Sequence, residues 1–274
     1  MGTNELATRR FRTPLTRADV LHMIATGKSR DFRYAVLPGA DLSGLDLRGA
    51  DLTGANLEYA NLRGALLTGA DLSRARLGGA DLEGAELSEA LLRNARAGLS
   101  GSSSVPSLRN ATLRHADLFG VALPGADFRG ADLEDAHLEA ANLHGADLSE
   151  ATLNGASLVD ANLRGARLDH TYLRGAHLRG ADLAHASAVG ADLELADMVR
   201  ANLTHADLSG ASLRSAAMDG AILKGANLRY ADLSRAGPSD SDLGEASSGN
   251  IRPVRPFSGS DPLGTRASRP HSRG

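Results

Sequence analysis

The feature that most limits how this chain can fold is a hydrophobic period of five residues. The period runs from Phe32 to Leu92 and again, shifted by one in frame, from Leu108 to Leu233, which makes 39 units. The central residue is Leu in 34 units, the residue two before it is Ala in 34, and the residue between them is Asp or Asn in 21. The last residue is Gly in 20 units, so the consensus is Ala-(Asp/Asn)-Leu-x-Gly. The side chains of a helix repeat about every 3.6 residues and those of a strand about every two. A hydrophobic period of five therefore fits neither a continuous helix nor a continuous strand.

Each unit is typical of a short extended edge followed by a corner. Ala and Leu are two residues apart, so in an extended segment their side chains point to the same side. The other three positions are rich in Gly, Asp, Asn and Ser, which are residues that form turns. The pattern therefore predicts a coil with Ala and Leu inside. The predicted structural core includes Phe32, Leu52, Leu72, Phe128, Leu148, Met198 and Met218.

The composition excludes several kinds of site. The 274 residues include no Cys, no Trp and only five Phe and four Tyr. Disulfides, thiolate metal sites and thiol nucleophiles are therefore excluded, and a core built on large aromatic rings is disfavoured.

Charge and lysine usage give expectations about partners and source. The chain has 30 basic and 33 acidic residues, but residues 30–236 alone carry 20 basic and 27 acidic residues, a net charge of −7. This net charge disfavours direct binding to nucleic acid. Only Lys28 and Lys224 are lysine, a bias that fits GC-rich coding and a bacterial source. No apolar run reaches the length of about 18 residues that a membrane span needs, and no leader pattern is visible, so we expect a cytoplasmic protein and no membrane partner.

The units resemble those of the pentapeptide-repeat family, as in Ala50-Asp51-Leu52-Thr53-Gly54 and Ala146-Asp147-Leu148-Ser149-Glu150. The resemblance implies an all-β solenoid, a right-handed quadrilateral β-helix with four units per coil. On that basis the units give just under ten coils, and a spacing of about 4.8 Å between coils predicts a rod roughly 45 Å long.

The chain outside the repeats predicts caps and connections. Residues 1–29 form an N-terminal arm and a short capping helix, since Thr16 and Asp19 make a capping box and Gly27 is a natural helix end. Residues 30–97 and 108–236 are the two parts of the β-helix, and 98–107 is a loop or hinge insertion. Ala97 and Leu108 are eleven residues apart where two units would give ten, so one net extra residue is expected. Residues 237–274, rich in Pro, Ser and Gly, should be a disordered tail.

The sequence contains no pattern of catalytic residues. A His-Glu-x-x-His motif, a Cys pair and a Gly-x-Ser-x-Gly motif are all absent. Gly27-Lys28-Ser29 is only the second half of a phosphate loop and fits a helix end better. His185 and His205 are 20 residues apart and should stack on adjacent coils, but no third metal ligand accompanies them. We therefore expect no enzyme, no catalytic residue, no cofactor and no metal.

The resemblance also implies a function. The best-understood members of that family bind DNA gyrase or topoisomerase IV as DNA mimics and lower sensitivity to quinolones or gyrase-poisoning natural products, whereas many other members have no assigned activity. The acidic face would lie in the DNA saddle of the enzyme, and the loop 98–107 would contact it. The candidate contact residues in that loop are Leu99, Ser100, Ser102, Ser103 and Val105.

Two further hypotheses concern assembly and partners. The alternative function is a structural or protein-interaction scaffold with a partner other than a topoisomerase, since solenoids offer long flat faces. The C-terminal coil, near Leu228 and Leu233, is a candidate homodimer face.

Overall fold

The computed structural model describes residues 13–26, 30–97 and 104–236. Within these ranges the only helix is α1, Arg17–Ala25, and no extended strand is present. Instead, 36 isolated parallel β-bridges join each unit to the unit four further on, as between Asp31 and Asp51. These bridges involve forty units, so the chain forms a four-sided solenoid of ten coils.

Every unit has the same five positions. The first and third residues are buried, the second makes the β-bridge, and the fourth and fifth form the turn. At every described corner except the one before Pro106, which has no N–H, the first residue of the next unit donates its N–H to the carbonyl of the third residue, as Ala55 N does to Leu52 O at 2.9 Å. The fifth residue has a positive φ in every described unit except that of Val105, as at Gly54 with a φ of 65°. A β-turn with a positive φ at its third residue favours glycine, which explains the last position of the repeat.

Some large fifth residues lie over a glycine or a smaller residue of the next coil. The ring of Tyr34 lies over Gly54, where a Cβ would stand 2.7 Å from Tyr34 Cδ1. Asn94 lies over Gly120 in the same way, with Asn94 Oδ1 2.8 Å from a Cβ built there. A side chain added at either of these two glycines would therefore meet the side chain of the neighbouring coil.

The second residue stabilises the turn that follows it. Asp51 Oδ1 accepts the backbone N–H of Thr53 at 3.0 Å, and Asp71 Oδ1 accepts that of Ser73 at 2.8 Å. Asn56 Oδ1 does the same for Glu58 at 3.1 Å. Because Asp and Asn both make this turn contact, the repeat favours them there for a local structural reason.

The four sides are named here by their first bridge residue. Face 1 begins at Asp31, face 2 at Val36, face 3 at Asp41 and face 4 at Asp46, and each continues with every fourth unit. A face comprises the second, fourth and fifth residues of its units.

The interruption after residue 97 lies inside one turn. Ala97 N donates to Ala122 O at 2.9 Å, which is the contact of a third residue, and Gly79 N donates to Ser104 O at 3.0 Å, which is the contact of a fourth residue. The six residues 98–103 thus separate the third and fourth positions of one additional unit. The expectation of two units with one net extra residue is wrong, because Ala97 and Leu108 stand one unit apart in the coil and residues 98–103 are additional to that unit. The parallel bridges continue across it, so the described coils form one stack.

Helix α1 begins as the sequence predicts. Thr16 is the N-cap, Asp19 completes the capping box, and Asp19 Oδ2 accepts the N–H of Thr16 at 2.8 Å. Val20 is 1% exposed, and Leu15 packs against the core beside it. The helix therefore covers the first coil. The predicted helix end at Gly27 and the tail 237–274 lie outside the described residues.

Two arginines complete the edge of the first coil. Arg17 donates to Ser43 O at 3.0 Å and to Asp41 O at 3.2 Å. Arg30 donates to Arg48 O at 2.7 Å and to Asp46 O at 3.2 Å. Elsewhere in the solenoid such carbonyls accept N–H groups of the preceding coil. The guanidinium groups thus take the place of the N–H donors that a preceding coil would supply. They satisfy backbone carbonyl groups that would otherwise be unpaired at the end of the solenoid.

The interior is apolar. Each of the core residues named above is at most 1% exposed. Thr171 is the one buried polar residue of the described part, and its hydroxyl donates to Leu148 O at 2.9 Å. Since this bond satisfies the hydroxyl, Thr can stand where the repeat has Ala.

Candidate interaction surfaces

The acidic residues of the repeat lie in columns on three of the four faces. Bridge positions hold 16 acidic residues, five on each of faces 1, 3 and 4 and only Asp182 on face 2. The three columns are Asp31, Asp51, Asp71, Asp117 and Asp197 on face 1, Asp41, Asp81, Asp127, Asp147 and Asp207 on face 3, and Asp46, Glu86, Asp132, Asp192 and Asp232 on face 4.

The net charge follows this distribution. Counted over the second, fourth and fifth residues, the net charge is −3 on face 1, +2 on face 2, −3 on face 3 and −4 on face 4. The rod therefore has three acidic sides and one weakly basic side. The net charge of the whole chain does not show this difference between the faces.

Arginines at the fourth position pair with many of the acids. Within a unit, Arg48 lies 2.7 Å from Asp46, because second and fourth residues share one side of the chain. Between coils, Arg63 lies 2.5 Å from Glu83 and Arg179 lies 2.9 Å from Asp197. The acidic faces are consequently a mosaic of paired and unpaired carboxylates.

Pairing also stabilises the ionised form of these acids. Hydrogen bonds from Arg48 hold the pKa of Asp46 well below its ordinary value. The side chain of Arg129 lowers the pKa of Asp127 in the same way, although partial burial opposes the shift. Both carboxylates are therefore charged at neutral pH.

Exposed aromatic and aliphatic residues interrupt the polar surface, and the sequence reasoning missed them. Tyr230 is 70% exposed, Tyr59 57%, Tyr172 53% and Phe119 45%. Arg93 stands over the Phe119 ring at 5.9 Å. The sequence signal that could have identified them is an aromatic residue at a position where the repeat favours a small or polar one. Aromatic residues and arginine are enriched at protein contacts, so such positions are candidate contact sites.

The candidate contact loop is described only at its end. Leu99, Ser100, Ser102 and Ser103 lie outside the described residues. Val105 occupies a corner next to face 2 and is 47% exposed.

The histidine pair is present as predicted. The rings of His185 and His205 stack with centroids 5.2 Å apart and planes inclined by 22°. Among the described residues no group of three or more His, Cys, Asp or Glu could hold a metal ion. The pair therefore acts as a corner contact between coils.

Two depressions on the described surface are shallow and open. One, of about 340 Å³, lies beside Glu150, Arg167 and His170, and another, of about 330 Å³, lies beside Arg93 and His137. Neither gathers the set of nucleophile, base and oxyanion donors that a catalytic centre needs. In the described part of the chain, no helix is long and apolar enough to span a bilayer.

The chain belongs to the pentapeptide-repeat family, whose model matches well over half of it. Members of this family are generally structural or binding proteins. The family model, described as pentapeptide repeats, matches eight copies at residues 31–69, 70–97, 107–135, 131–169, 141–180, 161–199, 176–214 and 206–236.

Solved structures of similar proteins include three from different settings. HetL, a pentapeptide repeat protein involved in heterocyst differentiation regulation in Nostoc sp. strain PCC 7120, is 34% identical over 86% of this chain and 94% of its own, with a TM-score of 0.37. QnrB1, a plasmid-mediated fluoroquinolone resistance protein, is 19% identical over 70% and 87%, with a TM-score of 0.45. A pentapeptide repeat protein of the Arabidopsis thaliana thylakoid lumen is 33% identical over 41% and 71%, with a TM-score of 0.18. No curated protein matches the chain.

Proposed function

We propose that this protein is a non-enzymatic binding protein that mimics DNA and binds DNA gyrase or topoisomerase IV. The observation that supports this function is the arrangement of acids in columns of five on faces 1, 3 and 4. Residues 30–236 hold 27 acidic residues. Over ten coils spaced by about 4.8 Å, this is about one carboxylate per 1.8 Å, while duplex DNA has about one phosphate per 1.7 Å.

The proposed mechanism is competition for a cationic surface. An acidic face of the rod would occupy the DNA-binding saddle of the enzyme, with the loop 98–107 beside it. Bound in this way, the protein would modulate the enzyme or protect it from quinolones or natural-product inhibitors. Unpaired carboxylates such as Asp71, Asp192 and Asp207 would make the strongest contacts, because no arginine of the described part neutralises them.

The second candidate function is a scaffold for a partner other than a topoisomerase. The pairing of arginines with acids favours this function. Arg114 contacts both Asp132 and Glu134, and Arg63 contacts both Asp81 and Glu83. Such pairs reduce the charge that a DNA mimic presents, and a mixed-charge face suits an ordinary protein contact.

Three finer features belong to the same proposal. We infer that the coil is right-handed, as parallel crossovers nearly always are. The C-terminal coil carries Tyr230 and Ile222, exposed at 70% and 43%, which supports a homodimer contact there. A bacterial topoisomerase as the partner requires a cytoplasmic location.

A gyrase supercoiling assay and a topoisomerase IV decatenation assay, each with and without ciprofloxacin, test the function. The matched variant replaces the five Asp of the face 3 column by Asn, which removes charge but keeps the turn contact, since Asn61 and Asn227 already stand in that column. We expect the parent protein to inhibit or protect the enzyme and the variant to do so less. Absence of inhibition, protection and binding at micromolar protein would leave the scaffold function.

A further inference from the structure

Face 2 differs from the other three faces in what its residues can bind. Its bridge positions hold four Asn and a single acid, Asp182, and the only other acid on the face is Glu58. Both acids are engaged within the fold. Asp182 accepts from the amide of Asn202 at 2.9 Å, and Glu58 pairs with Arg76 at 2.8 Å.

The other cations of face 2 have no such partner. Arg96, Arg164 and Lys224 make no ion pair with any described residue. Arg74 and Arg200, at the corner between faces 1 and 2, are likewise unpaired within the described chain. On the acidic faces, by contrast, most arginines contact carboxylates in their own or a neighbouring coil. The unpaired cations of face 2 therefore contribute no internal contact that an incoming partner would have to break.

Apolar side chains stand beside these cations. Tyr59 is 57% exposed and Val105 47% exposed at the corner that follows face 2, and Ile222 is 43% exposed in its bridge column. Polar but uncharged residues fill the space between them, as where the amide of Asn162 donates to Asn142 at 3.3 Å. Face 2 thus combines free cations with apolar contacts, which is the make-up of a protein-binding surface.

We propose that face 2 is a second docking surface, separate from the acidic faces, and that it binds an acidic patch on a partner protein. Charge complementarity carries this assignment, since face 2 has a net charge of +2 on a rod whose other faces carry −3, −3 and −4. The proposal does not depend on gyrase as a partner of the acidic faces.

The width of the face selects a protein over nucleic acid. The first three residues of each unit form the extended edge, which makes a face about 10 Å wide. At physiological salt, charges interact over about 8 Å, so a partner on face 2 also experiences the edges of faces 1 and 3. A nucleic acid carries charge along its whole length and would be repelled there, whereas a confined acidic patch would not.

The area of the face determines how far a partner must extend. A strip about 10 Å wide and about 48 Å long is smaller than the roughly 800 Å² that each partner buries in a standard interface. A partner must therefore extend over the flanking corners, where Arg74, Arg200, Tyr59 and Val105 lie. These corner residues extend the cationic and apolar character of the face.

Fluorescence anisotropy with a labelled decaglutamate peptide tests the proposal on the full chain. The test variant is R96Q/R164Q/K224Q on face 2. The control is R109Q/R214Q/R229Q, which removes three cations without ion-pair partners among the described residues from faces 3 and 4 and changes the net charge equally. We expect about tenfold weaker binding for the test variant and less than about threefold for the control, since each exposed pair contributes modestly.

Three results would overturn the assignment. The first is no binding of decaglutamate by the parent protein, and the second is equal weakening in both variants, which would show a general effect of net charge. The third is tighter binding of a duplex oligonucleotide that is lost in the face 2 variant, which would make the surface a nucleic-acid site. Circular dichroism of both variants establishes that they are folded. A gyrase assay that fails while decaglutamate still binds would reject the proposed function and retain this one.

Discussion

Deleting residues 98–103 should leave the solenoid folded, because these six residues lie between two consecutive positions of one unit. Their removal joins Ala95-Arg96-Ala97 to Ser104-Val105, which is a complete five-residue unit. The deletion carries Val105→Gly, because the fifth residue of the other units has a positive φ that a β-branched side chain disfavours. The hydrogen bonds on either side, from Ala97 N to Ala122 O at 2.9 Å and from Gly79 N to Ser104 O at 3.0 Å, can both persist. Loop closure changes by only about 0.6 kcal/mol for each doubling of length, so we expect the free energy of unfolding to change by less than about 1 kcal/mol.

Deleting residues 99–105 is the matched perturbation. It leaves Gly98 alone between Ala97 and Pro106, so this unit has four residues and its corner cannot form. The deletion also removes the hydrogen bond from Ser104 Oγ to the Tyr59 hydroxyl at 3.1 Å and the backbone acceptor of Ser104. Each of these hydrogen bonds contributes about 1 kcal/mol, and neighbouring bridges must shift, so we expect a loss of about 2 kcal/mol or more.

Denaturant unfolding followed by circular dichroism measures both deletions against the parent chain. Equal denaturant slopes would show that the compared states expose the same surface. A large loss on deleting 98–103, or no loss on deleting 99–105, would refute the placement of the insertion inside a turn.

Further predictions concern the first coil, the corners and acid stability. Arg30→Ala removes two bonds to first-coil carbonyls, so hydrogen exchange should accelerate in that coil, whereas Arg33→Ala, a surface pair, should leave it unchanged. Gly64→Ala should lower the free energy of unfolding by about 1 kcal/mol, because the φ of Gly64 is 60° and no atom lies near the added Cβ. Gly54→Ala should lower it by about 1 to 3 kcal/mol more, because the ring of Tyr34 lies above Gly54. Thermal unfolding of the two variants measures this difference. The lowered pKa of Asp127 means that its stabilisation is complete above its ordinary pKa of 3.8 and is lost as the pH falls below it. Melting temperatures at pH 7 and pH 3 should therefore differ less in Asp127→Asn than in the parent.

The repeat by itself determined much of this structure. Ala and Leu two residues apart are buried, and the β-bridge lies between them, because an extended edge places alternate side chains on opposite sides. The capping box at Thr16 also follows from spacing alone. These features depend on residues within one unit or one helical turn, so short-range geometry suffices to predict them. The stacked pair of His185 and His205 follows from the four units per coil that the family resemblance implies.

Only the tertiary structure decided which face each later residue occupies. If the interruption had contributed one net residue, every unit after it would have turned by one face, and the bridge acids would number six, two, three and five on faces 1 to 4. The observed bridge between Asp81 and Ser107 instead gives five, one, five and five. The physical reason is that an inserted loop adds length without rotation when both its ends remain hydrogen-bonded to the neighbouring coils. The existence of an acid-poor face is thus a consequence of long-range register, which no local pattern of residues specifies.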